Sequence, residues 1–293
     1  MKKPFIIGDY TRVYKPSGDV YIGYDSLCFK AGTRYESWIP NDFTAVQTSD
    51  GRWHMIGITH PSPPDFIDGT HYNPATVHDA EWQLFHAVSG DLLSEPFADE
   101  VKLLCAHQRE GERRDIYAPH IVKRGSLYYM FYGPGPIRLA VSEDLYNWEL
   151  KGAMFDCHVS ARDPHILPYG GGYRITYISE DSLLGRWSPD LLSWGDAECV
   201  FTMPREGMPE SPFILPYDGI YYLFWCIYDG KNGCYDSNTY VYASDTPESF
   251  SHDNCVTHLR AHAPEIVALG GEHYILSAEY PNRGINLAKL GWE

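Results

Sequence analysis

Three features are scarce in this sequence: long apolar runs, basic residues and paired cysteines. No apolar run approaches the roughly 18 residues that a membrane-spanning helix needs, which argues against a helical membrane protein. Lys and Arg number 23 against 39 Asp and Glu, which gives a formal net charge of −16. Because a phosphate backbone or an anionic lipid surface attracts clustered positive charge, this balance argues against nucleic acid and membranes as partners.

The cysteine pattern and the start of the chain bear on the compartment. The seven cysteines are an odd number and include no Cys-x-x-Cys pair, which fits reduced thiols better than a disulfide framework or a zinc site. The first residues turn polar before the apolar stretch of a secretory signal could form. We therefore expect a cytoplasmic protein, with a secreted or periplasmic one as the alternative if a signal peptide has been removed.

Apolar material is ample, since hydrophobic residues make up 44% of the chain and charged residues only 21%. That composition supports a large core and gives no sign of disorder. All-β propellers and barrels reach this length as one unit, so we predict that residues 1–293 form a single domain. Aromatic residues reach 15%, and their rings both pack cores and stack on the apolar faces of sugars.

Five segments of the sequence repeat one pattern, in which a short strand is followed by a glycine turn and a second strand. The repeats begin at Asn41, Tyr117, Arg162, Glu210 and His262. From the second repeat on, the starts fall 45, 48 and 52 residues apart, close to the length of a four-stranded propeller blade. The sequence therefore predicts an all-β, five-bladed β-propeller. An open β-sandwich is the alternative, but sandwiches do not repeat at this period.

Two further stretches complete this prediction. The first interval between repeats is longer, 76 residues, and its excess lies in a Pro- and His-rich segment at 60–80. We expect that segment to be a surface loop beside the mouth of the central cavity. The N-terminal residues 1–36 are expected to complete the last blade, with residues 284–290 as one of its outer strands.

Three carboxylates hold matching positions in the repeats: Asp42, Asp163 and Glu210. The first strand of each propeller blade lines the central channel, so these side chains should converge on one cavity. Partial burial and mutual repulsion would push their proton affinities apart. Glycosidic bond cleavage uses such a set, because it needs one carboxylate to attack or to activate water and one carboxylic acid to protonate the leaving oxygen.

Three segments, in this order, resemble the motifs of the five-bladed propeller glycoside hydrolases of families 43 and 32: Trp38–Asp42, Arg162–Pro164 and Glu210–Pro212. Those families include arabinanases, β-xylosidases, invertases and levansucrases. The resemblance implies that Asp42 is the nucleophile or general base and that Glu210 is the general acid. It implies that Asp163 stabilises the transition state or tunes the acid.

The motifs do not decide which sugar is cleaved. Arg162-Asp163-Pro164 is similar to the fructan-cleaving branch, as is Trp82 with the following segment 86–92. Phe43 stands where that branch has proline, and Ser211 stands where a cysteine is usual. The 293 residues also leave no room for the C-terminal β-sandwich of most fructan hydrolases, which favours the arabinanase and xylosidase branch.

Five further residues stand at or beside motif positions, and we expect them to bind the substrate: Trp38, Asn41, Tyr117, Arg162 and His262. Trp38 would form an apolar platform under a sugar ring, and Arg162 would hold the charge of Asp163 or donate to a sugar hydroxyl. His262 opens the fifth repeat, where relatives place a channel histidine facing water or calcium. Calcium prefers oxygen ligands, so we favour a hydrogen-bonding histidine. No cofactor is required, and a structural Ca²⁺ in the channel is the one candidate metal.

The sequence as a whole predicts a hydrolase that removes terminal furanose or pentose residues from fructo-, arabino- or xylo-oligosaccharides. The loop at 60–80 would cap the cavity and favour action on chain ends. One alternative is a propeller that binds a glycan without cleaving it. Another is a relative that transfers the glycosyl group to phosphate or to a second sugar, although phosphate needs clustered basic residues and the motif strands offer only Arg162.

Overall fold

The computed structural model describes residues 1–25, 29–62, 81–104, 115–204, 207–228, 238–278 and 284–293. Five four-stranded antiparallel sheets form the blades of a single-domain β-propeller. This arrangement confirms the predicted all-β class and the five blades. Residues 63–80, most of the predicted loop, lie outside the described ranges. Within those ranges, no helix is long and apolar enough to cross a membrane.

Strands are numbered along the chain. The first three are β1 (Pro4–Tyr14), β2 (Asp19–Val20) and β3 (Arg34–Tyr35). Blade 1 contains β4 (Trp38–Gln47), β5 (Trp53–Pro61), β6 (Gln83–Ser89) and β7 (Ala98–Asp99). Blade 2 contains β8 (Tyr117–Arg124), β9 (Leu127–Gly133), β10 (Arg138–Ser142) and β11 (Glu149–Ala153). Blade 3 contains β12 (Arg162–Tyr169), β13 (Gly172–Ser179), β14 (Ser182–Ser188) and β15 (Glu198–Thr202).

Blade 4 contains β16 (Met208–Tyr217), β17 (Ile220–Tyr228), β18 (Asn238–Ser244) and β19 (Cys255–Arg260), and a 3₁₀ turn at His252–Asn254 precedes its last strand. Blade 5 contains β20 (Glu265–Leu269), β21 (Glu272–Ala278) and β22 (Ile285–Trp292), and β1 is its fourth strand. The inner strands of the five blades are β4, β8, β12, β16 and β20.

The two ends of the chain meet in blade 5. Strand β1 pairs antiparallel with β22, from Pro4 opposite Trp292 to Tyr14 opposite Ile285. The expected completion of this blade by residues 1–36 therefore applies to β1. The strands β2 and β3 pair with each other in a separate two-stranded sheet. Tyr21, which follows β2, packs with Phe29 and Trp38 in a small apolar cluster beside blade 1.

The core consists of five apolar layers, one between each pair of neighbouring blades. Alternation along each strand supplies both faces, because successive side chains of a strand point in opposite directions. On β17, Leu223 and Trp225 pack toward blade 3, whereas Tyr222 and Phe224 pack toward blade 5. Each blade is thus apolar on both faces, and its stability depends on both neighbours.

A bulge interrupts four of the inner strands near their first residues. The pairing register shifts between Pro40 and Phe43 on β4, and at the equivalent places on β8, β12 and β16. On β8, β12 and β16 the residue just before the proline has a positive φ: Ala118 (28°), Asp163 (52°) and Ser211 (50°). A bulge changes the direction of the side chains around it. These bulges lie at the same level of the channel as the predicted carboxylates.

The closure of the ring can be tested at Tyr14. This side chain is 2% exposed and lies between blades 5 and 1, with its ring centroid 4.9 Å from that of Phe85 and its hydroxyl donating to Asp99 Oδ1 at 2.7 Å. Tyr14→Ala should lower the free energy of unfolding by about 3–5 kcal/mol, measured by chemical denaturation. Ile7→Ala, on the same strand but 42% exposed, should cost less than about 1 kcal/mol. Equal losses for both variants would contradict this role of Tyr14.

Candidate active site

A cavity of about 280 Å³ lies where the first residues of four inner strands approach one another. All three predicted carboxylates line it, with Asp42 coming from blade 1, Asp163 from blade 3 and Glu210 from blade 4. Asp163 is buried, at 7% exposure, and the other two are partly exposed. The register of the repeats thus places three acidic side chains from distant parts of the sequence around one small space.

Ser211 links two of these carboxylates. Its hydroxyl makes a short hydrogen bond to Oδ1 of Asp42, and its backbone N–H donates to Oδ2 of Asp163 at 3.1 Å. The positive φ of Ser211 precedes a proline, a position at which extended backbone is preferred, and such strain costs of order 1–3 kcal/mol. The hydrogen bonds to two buried or half-buried carboxylates help to hold this conformation.

Sequence analysis did not place Ser211 in the site and noted it only as a departure from a usual cysteine. The sequence does contain a signal for it, because Ser211 occupies the same repeat position as Asp42 and Asp163. A hydroxyl at that position is as well placed to reach the centre as the two carboxylates. Repeat position is thus informative for polar residues as well as for acids.

The surroundings raise the proton affinity of both partly exposed carboxylates. Burial and the charge of Asp163 raise the pKa of Asp42 to about 7, while the hydrogen bond from Ser211 opposes the rise. Burial, followed by the charges of Asp42 and Asp163, raises the pKa of Glu210 well above its ordinary value, and Arg162 opposes that rise. This rise favours the protonated form of Glu210, the form in which it can donate a proton.

A fourth carboxylate, Glu81, also lines the cavity. It is 1% exposed, and its charge adds to the raised pKa of both Asp42 and Glu210. The N–H of Ile116 donates to its backbone oxygen at 2.8 Å, which ties this segment to the start of blade 2. Glu81 could not be predicted from the repeats because it lies at the end of the long first interval, outside the repeated pattern.

Arg162 is the one basic side chain among the described residues that line the cavity. Its Nη2 donates to the carbonyl oxygen of Pro209 at 2.6 Å, and its Nε lies 3.7 Å from Oδ2 of Asp163. The guanidinium group thus connects blade 3 to the strand that carries Glu210. It partly balances the negative charge of the site.

The other predicted binding residues divide into two groups. Asn41 and Tyr117 line the cavity together with Arg162. Trp38 is 2% exposed and packs against Tyr21, with the ammonium of Lys102 4.6 Å from the centre of its ring. Trp38 is not among the lining residues of this cavity, because the hairpin region before blade 1 covers it.

His262 lies behind the cavity and contacts Asn41, one of the lining residues. It is 1% exposed, and its Nε2 lies 3.4 Å from Oδ1 of Asn41, which lines the cavity. Its backbone N–H donates to Oγ of Ser277 at 2.9 Å. Burial lowers the pKa of His262 to about 3, so the imidazole is neutral in any ordinary buffer. This contact joins blade 5 to the first strand of blade 1.

The channel beyond the carboxylates is the predicted place for a structural calcium ion. Two neutral histidines, His120 and His165, face each other there with ring centroids 4.6 Å apart, and burial lowers the pKa of both. Calcium takes six to eight oxygen ligands, and the side chains of this channel that offer oxygen are Asp42, Asp163, Ser211 and Glu265, each from a different blade. Within the described ranges, no group of three or more His, Cys, Asp or Glu side chains could hold a metal ion. The channel calcium stays a prediction.

Solved structures of similar fold include enzymes of glycoside hydrolase families 43 and 32. An exo-1,5-α-L-arabinanase from a bovine ruminal metagenomic library has a TM-score of 0.63 at 16% identity, over 86% of this chain and 92% of that one. A GH43 β-xylosidase/α-arabinofuranosidase from a compost microbial metagenome has a TM-score of 0.64 at 13% identity, over 87% and 91%. The GH32 β-fructofuranosidase of Bombyx mori has a TM-score of 0.58 at 16% identity, over 86% and 59%.

No protein-family model matches the chain, and no curated protein matches it either. At such low identity the likeness shows the fold alone. It confirms the five-bladed architecture that the motif resemblance implied.

The link between Ser211 and Asp42 predicts a shift in titration. Because the serine hydroxyl donates to the charged form of Asp42, Ser211→Ala should raise the Asp42 pKa further above its value of about 7. Carbon-13 NMR of labelled Asp carboxyls would follow one resonance titrating near pH 7, which should vanish in Asp42→Asn. Ser142→Ala, which removes a serine hydroxyl bonded to Asp144, is the matched control and should leave that resonance in place. An unchanged midpoint in Ser211→Ala would contradict the assignment.

Glu265, a buried acid that does not line this cavity, gives a prediction about stability. Burial raises the pKa of Glu265 to about 8, although Oε1 accepts hydrogen bonds from Thr44 and from the N–H of Ala45. Between the ordinary glutamate pKa and pH 8, the unfolded chain has released this proton and the folded chain keeps it, so stability falls as pH rises. Glu265→Gln should flatten this fall in denaturation curves taken from pH 5 to 8. The exposed control Glu143→Gln should not, and equal slopes for the two variants would refute the prediction.

Proposed function

We propose that this protein is a glycoside hydrolase that releases a terminal furanose or pentose residue from an oligosaccharide or another glycoside. The observation that carries the proposal is the convergence of Asp42, Asp163 and Glu210, from three different blades, on one cavity. Among them, Glu210 has its proton affinity raised by burial and by the other two. An acid whose protonated form is favoured, beside other carboxylates, is what cleavage of a glycosidic bond requires.

Glu210 takes the role of general acid. Its proton passes to the glycosidic oxygen as the bond to the anomeric carbon breaks, so that the leaving group departs as a neutral alcohol. The guanidinium of Arg162, anchored on the carbonyl of Pro209, lies beside this group and limits the rise of its pKa. Glu81 acts in the opposite direction, since its charge favours the protonated acid.

Asp42 acts at the anomeric carbon, as a nucleophile or as the base that activates water. With a pKa of about 7 it is ionised in a substantial fraction of molecules at neutral pH, and the hydroxyl of Ser211 holds one of its oxygens in place. Asp163 receives the N–H of Ser211 and lies near Arg162, which fixes its carboxylate beside the developing positive charge of the sugar ring.

Two observations support a small, terminal sugar. The cavity of about 280 Å³ is at the lower end of the range for ligand pockets, and Asn41, Tyr117 and Arg162 supply polar groups for hydroxyls. The similar structures include enzymes named for arabinan, xyloside and fructofuranoside substrates. Most of the loop that is predicted to cap the cavity, residues 63–80, lies outside the described ranges.

The general acid can be tested with substrates that differ in how much they need it. Glu210→Gln should lower kcat/KM on methyl furanosides and pyranosides by about 10²–10⁴-fold, because their alcohols leave poorly without a proton. The loss should be much smaller on p-nitrophenyl glycosides of the same sugar, since that leaving group departs as an anion. Steady-state kinetics on arabinosides, xylosides and fructosides would measure both.

The matched control is Glu143→Gln, which removes one exposed carboxylate on the β10–β11 connection. It should retain wild-type kinetics. Full activity of Glu210→Gln on the methyl glycosides, with unchanged folding by circular dichroism, would remove Glu210 from the mechanism.

A further inference from the structure

Two large aliphatic side chains that line the catalytic cavity are exposed, whereas three of its polar side chains are buried. Asn41, Glu81 and Asp163 are 3%, 1% and 7% exposed, whereas Val159 and Met208 are 66% and 47% exposed. The buried floor of the cavity thus holds charged and hydrogen-bonding groups beside Ile58, and part of its exposed mouth is aliphatic. Because these two side chains line one cavity, a ligand bound at its mouth would cover them and remove their apolar surface from water.

Met208 lies beside the proposed general acid. The two residues are two positions apart on β16, and the pairing with β17 is regular from Met208 opposite Tyr228 to Glu210 opposite Cys226. Residues two apart on a strand point to the same face and are separated by about 7 Å. Because the general acid protonates the oxygen of the leaving group, the side chain next to it lies on the leaving-group side.

Val159 belongs to a fixed wall of the mouth. It precedes β12, and Pro134 from the β9–β10 connection lines the cavity with it. These two connections are packed closely, because a Cβ placed on Gly135 would lie 2.3 Å from the carbonyl oxygen of His158. The wall is therefore preformed in the absence of a ligand.

Ser160 is the polar side chain in this wall, and its hydroxyl already has two hydrogen-bond partners. Ser160 Oγ accepts a hydrogen bond from the N–H of Glu180 at 3.0 Å and lies 2.7 Å from Nδ1 of His158. A second sugar ring at the mouth would bring several hydroxyls against Pro134, Val159 and Met208, which offer them no side-chain hydrogen bonds. Hydroxyls that lose water without a new partner weaken binding.

We propose that the leaving group of the substrate is an apolar alcohol, an alkyl or aryl aglycone, held between the wall of Pro134 and Val159 and the side chain of Met208. This inference rests on the proposed function and narrows its substrate class. The sugar occupies the polar floor among the carboxylates, the glycosidic oxygen lies at Glu210, and the aglycone fills the aliphatic mouth.

The test compares hexyl and methyl glycosides of the same sugar, whose alcohols have similar basicity. Hexyl α-L-arabinofuranoside, β-D-xylopyranoside and β-D-fructofuranoside are assayed against their methyl counterparts with the full chain. On the sugar that is cleaved, the hexyl glycoside should have a kcat/KM at least about tenfold higher, which corresponds to about 1.4 kcal/mol. The disaccharide carrying the same terminal sugar should be a poorer substrate than the hexyl glycoside.

Two variants locate the effect. Val159→Thr and Met208→Gln preserve shape or length while adding polarity, and each should lower the hexyl-to-methyl ratio of kcat/KM by about threefold or more. Val101→Thr is the control, since Val101 is 75% exposed and does not line this cavity. It should leave the ratio unchanged.

Each outcome is decisive. A wild-type ratio near one, or a ratio that neither variant lowers, overturns the aglycone proposal while leaving the hydrolase intact. Absence of hydrolysis of both the hexyl and the methyl series contradicts the proposed function, and the aglycone proposal fails with it.

Discussion

The antiparallel pairing of β1 with β22 holds the five blades in a ring, and the arrangement of the cavity depends on that closure. Closure presses blade 5 against blade 1, where Tyr14 packs on Phe85. Two contacts across the same junction hold the inner strand that carries Asp42. The His262 imidazole contacts Asn41, and Glu265 accepts a hydrogen bond from Thr44. Without closure, the first inner strand would lose its neighbour and the carboxylates would lose their common centre.

Within the closed ring, the bulges of the inner strands decide which side chains meet. A regular strand would alternate its side chains between the two neighbouring blades. The bulge before the proline instead places Asp163 and Ser211 at positive φ, and the backbone N–H of Ser211 then reaches the carboxylate of Asp163. Local strain is thus combined with charge: the conformation that is unfavourable for the backbone is the one that brings the polar groups into contact.

Much of this centre could be predicted from the sequence because the repeat encodes it. Asp42, Asp163 and Glu210 share a repeat position to within one residue, and a propeller converts equal position into spatial proximity. Glu81 could not be found in this way, because it lies between repeats and reaches the cavity through tertiary packing alone. Trp38 shows the opposite case: it stands next to a motif, yet residues of the N-terminal hairpin region bury it.

The proposed function requires that a sugar binds among these carboxylates with its glycosidic oxygen at Glu210. The most direct measurement is a crystal structure of Glu210→Gln with a bound alkyl glycoside. We predict that the glycosidic oxygen lies within about 2.6–3.2 Å of the residue 210 amide, with the sugar ring between Asp42 and Arg162. A glycoside bound elsewhere, or one whose glycosidic oxygen is out of reach of residue 210, would contradict the account.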